Sequence, residues 1–142
     1  MKKAFTILEL LIVLSVLIIL IGILIPRFKG MTDEGRKTKV KAELQTLQAA
    51  TEAYFNDYGT YPPNTGGYAV MSTLLSAQPQ VLSTYMVDPF SPSSYYGYST
   101  TGNYYVWYSQ GLASTLSADS VSPAGVVTSQ YGEFCISNGN GC

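Results

Sequence analysis

The chain has 142 residues, with eight Lys or Arg, nine Asp or Glu, no His and a net charge of −1. Roughly one domain fits that length. Charged residues make up 12 %, about half the usual share, while hydrophobic residues stand near average at 46 %. These values exclude a highly charged disordered chain and a globally basic nucleic-acid binder. The average conceals two unlike pieces. Residues 1–41 hold all eight basic groups (Lys2, Lys3, Arg27, Lys29, Arg36, Lys37, Lys39, Lys41) against Glu9, Asp33 and Glu34, a balance of +5. Residues 42–142 hold Glu43, Glu52, Asp57, Asp88, Asp119 and Glu133 with no basic residue, a balance of −6.

Phe5 to Ile25 reads FTILELLIVLSVLIILIGILI, broken only by Thr6, Glu9, Ser15 and Gly22. As a helix it spans about 31 Å at 1.5 Å per residue, the hydrocarbon thickness of a bilayer. A cleavable secretory signal fits less well, because its apolar region is normally ~7–15 residues and ends at small residues. This run is longer and ends in Pro26-Arg27-Phe28-Lys29. Glu9 is the informative residue. A carboxylate in the membrane costs about 2.5–3.5 kcal/mol and by default marks a function with a partner. Snorkelling to the interface explains why Glu9 is tolerated there. It gives no reason for its presence.

Lys2-Lys3-Ala4, then Phe5-Thr6-Ile7-Leu8-Glu9-Leu10-Leu11-Ile12-Val13, then an apolar run to Pro26 resembles the class III signal segment of type IV pilins and type II secretion pseudopilins. The resemblance implies a prepilin peptidase that cuts between Ala4 and Phe5 and methylates the new Phe5 amine. Glu9 then stands at the position where the family keeps its carboxylate. The family usually has Gly before the cut, and this chain has Ala4, the nearest residue in size. A freed Phe5 ammonium in a low-dielectric medium needs a counter-ion, and Glu9 of a neighbouring subunit supplies one. That pairing sets the register between packed helices, with Phe5, Glu9, Gly22 and Pro26 as the assembly residues. The implied organisation is a leader over 1–4, a transmembrane and filament-core helix over 5–26, and a pilin-like globular domain over 27–142.

The charge count opposes that topology. Two basic residues precede the span and six follow it, so the positive-inside rule alone puts residues 27–142 in the cytoplasm. The resemblance requires the opposite side, and the cysteine pair agrees with the resemblance.

Pro26 weakens the helix by removing one hydrogen bond, and Gly22 softens the same stretch. Beyond it Val40, Leu44, Leu47, Thr51 and Tyr54 step by four, three, four and three, which predicts an amphipathic helix over 27–57 with one buried stripe. Arg36, Lys37, Lys39 and Lys41 precede the stripe as a solvated stretch. Lipid headgroups or nucleic acid are alternative partners for such a stretch, but contact with acidic neighbours in a staggered assembly is favoured. Asn56-Asp57-Tyr58-Gly59 ends the helix, with Gly59 past its C-terminus and Pro62-Pro63 forbidding its return.

The region 58–142 is expected to hold a small β-sheet. Gly67–Gln78 reads as a short helix. Tyr95–Thr100 and Asn103–Ser109 flank Thr101-Gly102 as a hairpin, and Gly125–Thr128 and Tyr131–Ser137 read as further strands. Alternation puts Tyr104, Val106 and Tyr108 on one face and Tyr105 and Trp107 on the other. One face packs on the helix stripe, and the second is expected to meet solvent or another subunit. The fold class is therefore α+β, a long N-terminal helix on a small antiparallel sheet. Ala53–Pro62 (AYFNDYGTYP) and Asp88-Pro89-Phe90 with the following hairpin also resemble major pseudopilins. Those proteins often place calcium in a later acidic loop, but Gln110–Ser122 offers Asp119 alone, and hard cations want six to eight oxygens. No cofactor is therefore expected, with calcium at Asp119 kept as the alternative. Cys135 and Cys142, separated by ISNGNG, suggest a disulfide in an outward-facing protein. Two free thiols or a metal pair are the alternative, with no His to support the latter.

Chemistry is otherwise sparse. Without His there is no triad or His metal site, and the carboxylates of the distal region stand singly. Thr65-Gly66-Gly67 lacks the Lys and the helix signature of a phosphate loop. The twelve Tyr fit ordinary sheet and interface packing better than electron transport. Ser and Thr abundance leaves O-linked glycans open. The reading is a non-enzymatic structural subunit that forms a homo-oligomeric helical filament. It starts in the inner membrane among lipid as a precursor, and a prepilin peptidase, an assembly platform and its ATPase-driven machinery then handle it, with no nucleic-acid partner. A cell-surface pilus subunit is put first. A major pseudopilin of type II secretion is the alternative, and a membrane-tethered binding module that never polymerises is the second.

Overall fold

The computed structural model describes residues 6–109, 120–128 and 134–142, and of residues 25–29 the backbone alone. It is an α+β protein in which a long, N-terminally apolar helix precedes a small antiparallel sheet, consistent with a pilin-like fold. The chain divides into two compact units, Met1–Gly35 and Arg36–Cys142.

Helix α1 covers Ile7–Tyr58. Thr6 begins it: its Oγ1 accepts a hydrogen bond from the Glu9 N–H at 3.2 Å, satisfying one of the donors a helix start leaves open. The helical hydrogen-bonding pattern passes through position 26 despite the proline. In the first unit, Ile7–Leu24 has a mean hydropathy of 3.2 and none of it is buried within the structure.

In the second unit α1 turns one stripe inward. Val40, Leu44, Leu47, Ala50 and Thr51 are buried, with Tyr54 partly so, as the three- and four-residue spacing predicts. The helix stops at Tyr58. Gly59 follows at φ 72° and donates its N–H to the Phe55 carbonyl at 2.8 Å. A side chain at φ > 0 is strained, so glycine suits this exit. The Tyr58 hydroxyl accepts from the Gln78 N–H at 2.9 Å, which ties the end of α1 to the segment after the next helix.

That helix, α2, covers Gly67–Ser76 and stops two residues short of the expected Gln78, with Ala77 already extended ahead of Pro79. Val70, Met71 and Leu74 form its buried face. The hairpin is shorter than the alternation suggests. β1 is Gly97–Thr100 and β2 is Tyr105–Tyr108, paired antiparallel with Tyr98 opposite Trp107. Tyr95 leaves that pair to bridge Val87 instead. Strand β3, Ser120–Val121, was not anticipated. It pairs with β4, Val127–Thr128, while β5, Cys135–Ser137, joins the other side of β2. The larger sheet thus runs β1-β2-β5 with β2 central. Of the expected strand over Tyr131–Ser137, residues 131–133 lie outside the described set.

One face of β2 carries Tyr105 and Trp107 into the main core with the α1 stripe, α2 and Tyr98. The other face corrects the expectation of solvent or a neighbouring subunit. Val106, with Tyr104 and Tyr108, packs in a second cluster against Val121, Val127 and Cys135. The short β3–β4 pair and the C-terminal loop cover its centre, burying Val106 with Val121 and Val127 and leaving Tyr104 and Tyr108 partly exposed.

Candidate functional site

Two groups of residues carry functional interest, one in each unit. The first is the apolar helical segment. From Ile7 to Leu24 the large apolar side chains all lie at the surface; Ile7, for example, is 84 % exposed. An apolar surface of this size in water is strongly unfavourable and calls for lipid or other helices to cover it. Within that span Glu9 is the one charge, and Ser15 satisfies its own hydroxyl on the Ile12 carbonyl at 2.8 Å. Gly22 faces open space, with nothing within 4 Å of where a Cβ would stand. Glu9 and Gly22 are thirteen residues apart on α1 and are not brought together. Ala4 and Phe5, the expected processing residues, lie outside the described residues, as does the side chain of Pro26. Asp119, the lone calcium candidate, lies outside them too.

A sequence signal at this end was overlooked. Thr6-Ile7-Leu8-Glu9 has the Ser/Thr-x-x-Glu spacing of a helix start, and the Thr6–Glu9 backbone bond realises half of it.

The second group is a seam of tyrosines on α1 carboxylates in the head. Tyr96 donates to Glu43 Oε2 at 2.6 Å, and Lys39 Nζ reaches the same carboxylate at 3.7 Å. Tyr105 donates to Glu52 Oε1 at 2.8 Å and Tyr61 donates to Glu52 Oε2 at 3.2 Å. Asn138 extends this seam: its amide donates to Tyr61 Oη at 3.1 Å and its Oδ1 accepts the Tyr105 N–H at 2.9 Å. Deeper in the core, Trp107 Nε1 donates to Thr51 Oγ1 at 2.9 Å. Asp88 is fully buried and caps the following turn, accepting from the Phe90 N–H at 2.9 Å and from the Ser109 hydroxyl at the end of β2. No spacing rule could find these pairs. Tyr96–Glu43 and Tyr105–Glu52 each join residues 53 apart in sequence.

Burial first, and then the adjoining Glu43 or Glu52, pushes the Tyr96 and Tyr105 phenols well above the ordinary tyrosine range; burial does the same for Tyr98. A phenol whose folded pKa is raised stabilises the fold fully below its unfolded pKa of about 10, and this stability is lost as the pH climbs above that value. The urea midpoint of the full chain is therefore expected to hold steady from pH 7 to about 9 and then fall, with the buried tyrosines' share of the tyrosinate absorbance appearing only as the chain unfolds. Tyrosinate absorbance equal to all twelve tyrosines at about pH 11 while the fold remains intact would contradict the buried seam.

Cys135 and Cys142 form a disulfide, with Cα atoms 5.5 Å apart. The loop it closes is stitched to the sheet. Asn140 donates its N–H to the Gly125 carbonyl at 2.7 Å, and the Val127 N–H returns to Asn140 at 2.8 Å. The Ser137 hydroxyl donates to the Tyr105 carbonyl at 2.6 Å. Gly139 passes so close to the Gly125 carbonyl that a Cβ there would collide with it. The loop-entropy model assigns the bridge about 2.5 kcal/mol, so Cys135→Ser with Cys142→Ser is expected to lower the urea midpoint by about 1 M or more. An unchanged midpoint would assign the loop's order to its hydrogen bonds alone.

The chain is similar to proteins named Type II secretion system core protein G. It is 28 % identical to that of Klebsiella pneumoniae over 78 residues, 55 % of this chain and 56 % of the relative. It is also 28 % identical to that of Klebsiella michiganensis over 79 residues, and 25 % identical to that of Pectobacterium carotovorum subsp. carotovorum over 79 residues. Those matches cover 56 % of this chain in both cases, with 56 % and 51 % of the respective relatives. The chain thus spans about half the length of the curated relatives it matches. No family model matches it, and no solved structure is significantly similar to it. The resemblance to type IV pilins and type II secretion pseudopilins, carried by the Lys2–Val13 segment and the apolar run, therefore has named curated relatives on its pseudopilin side.

Proposed function

We propose that the chain is a structural subunit of a type II secretion pseudopilus, anchored in the inner membrane by the apolar segment and polymerised on its periplasmic side. The observation that carries this reading is the 18-residue span Ile7–Leu24, wholly unburied in the structure and interrupted by the single charge of Glu9. Before assembly lipid covers that surface; in a filament, the same surface of other subunits does. Sequence reasoning put the cell-surface pilus first. The names of the curated relatives favour the secretion system instead. On this reading a prepilin peptidase cuts between Ala4 and Phe5, and an inner-membrane platform with its ATPase extracts the processed subunit. The disulfide suits an oxidising periplasm, against the bare count of flanking Lys and Arg.

A strain lacking this one gene, assayed for exoprotein secretion and imaged by negative stain, tests the assignment. The expected result is exoprotein held in the periplasm with surface filaments unchanged in number. Intact secretion with surface filaments missing would return the chain to the pilus class. An N-terminal mass showing an unprocessed Met1 in membranes, with both phenotypes absent, would favour a tethered module that never polymerises.

A further inference from the structure

The head carries a second aromatic group outside the carboxylate seam, anchored on the core through Tyr95. Tyr68 on α2, Tyr85 in the following loop and Tyr95 before β1 meet at the surface. Tyr68 is 53 % exposed and Tyr85 40 % exposed. Their rings stack at 5.2 Å and 17°, and Tyr95 tilts against Tyr68 at 4.9 Å. Beside them lies an open trough of about 460 Å³, lined by Tyr68, Tyr95 and Tyr108 together with Thr65 and Ser94. Its size falls within the range of small-ligand clefts, about 300–1,000 Å³.

We propose that this trough is a carbohydrate site, in which neutral pyranose rings stack on Tyr68 and Tyr95 and place their hydroxyls against Thr65, Ser94 and the tyrosine hydroxyls. Three features of the trough select that chemistry. Aromatic faces are negative, so they attract the slightly positive C–H face of a sugar ring and gain by excluding water from it. The lining hydroxyls both donate and accept, as a ring of sugar hydroxyls requires. None of the lining residues is charged, and residues 42–142 hold no Lys or Arg at all. A nucleotide would stack equally well but brings phosphates with nothing basic to meet them. Tyr68 and Tyr95 also come from separate segments, with Tyr85 stacked on Tyr68 and Tyr95 packed on the core, so the platform is preformed and little ordering is required on binding.

The inference does not depend on assembly, and its test is separate. The full chain, held in zwitterionic micelles free of sugar headgroups, is titrated by calorimetry with cellotetraose, maltotetraose and chitotetraose. Saturable binding of at least one oligosaccharide is expected, insensitive to salt and weakened about tenfold or more by Tyr68→Ala. Tyr68→Phe, which keeps the ring, is expected to retain binding within about threefold. Because Tyr68 is half exposed, Tyr68→Phe should unfold at the parent's urea midpoint and Tyr68→Ala cooperatively within about 1 M of it, which confirms that the comparison is between folded proteins. Absence of saturable binding to all three sugars into the millimolar range would overturn the proposal. So would binding that Tyr68→Ala leaves unchanged, or a loss of self-association in Tyr68→Ala without sugar binding, which would make the patch a contact between copies.

Discussion

Replacing Trp107 by alanine is expected to cost the head about 4 kcal/mol, within the range of large-to-small changes at buried aromatic positions. The ring is fully buried, tilts against Tyr98 at 4.7 Å and lies among the α1 stripe residues. Its removal leaves a cavity between α1 and β2 that side chains fixed by two flanking strands cannot readily fill. The indole also donates to Thr51 Oγ1, but Thr51 keeps its own proton on the Leu47 carbonyl at 2.7 Å. Thr51 therefore loses an incoming bond and is not left with an unsatisfied donor. Trp107→Phe isolates that bond together with a smaller volume loss and is expected to cost about half as much. Against a typical total of about 5–15 kcal/mol, the alanine variant loses roughly a quarter to four-fifths of its stability. Urea unfolding of the full chain measures both. The half-buried Tyr104, on the opposite face of the hairpin, supplies the control. Equal losses for Tyr104→Ala and Trp107→Ala would mean that the face turned toward α1 is not the principal core.

What the sequence made legible follows from the range of each interaction. The α1 stripe was readable because Val40, Leu44, Leu47 and Thr51 repeat at helical spacing, and one face of the helix is all that the core takes. Gly59 was readable as a stop because its conformation is local. The hairpin was readable in its turn and in its alternation, which places Tyr105 and Trp107 together. Alternation says only that two faces differ, however, and cannot say what covers each. The cover over Val106 comes from β3 and β4, two residues each, and from the disulfide loop. Strands so short carry no periodicity, and their register rests on pairings such as Val127 with Asn140 that no local rule encodes. The partners of Glu43 and Glu52 were invisible for the same reason. Both carboxylates read as ordinary solvated positions on an amphipathic helix until tyrosines from the hairpin and the Tyr61 turn reach them.

The two pieces into which the charge divides also look different once these contacts are known. Glu43 and Glu52 keep their charge but are turned toward tyrosine hydroxyls within the head, and Glu43 also meets Lys39. On the proposed reading, fewer of the six carboxylates are then turned toward a neighbouring subunit than the balance of −6 suggests. Attraction between staggered subunits through Arg36–Lys41 is correspondingly modest and screened by salt. Register in the proposed filament would therefore need a stronger and less exposed contact.

On the proposed reading Glu9 supplies it, and Glu9→Val is expected to leave membrane insertion intact while filament numbers collapse. Local structure does not account for this carboxylate. It stands in the first turn of α1, where the helix dipole favours an anion by about 0.3–1 kcal/mol. Holding a carboxylate in the bilayer costs about 2.5–3.5 kcal/mol, so the dipole offsets only a part. The remainder calls for a cation, and on the proposed reading the Phe5 amine freed by processing on a neighbouring subunit is that cation. A charge-assisted contact of about 2 kcal/mol at each subunit corresponds to roughly thirtyfold in association, repeated along the polymer. Valine removes the insertion cost along with the contact, so the variant should enter the membrane at least as well as the parent while assembling poorly. Glu9→Gln keeps a hydrogen-bonding group without the charge and should fall between the two. Carbonate extraction reports insertion, and immunoblots of sheared or overproduced filaments report assembly. Normal filament numbers in Glu9→Val would sink the pairing and leave Glu9 a tolerated charge at the membrane edge.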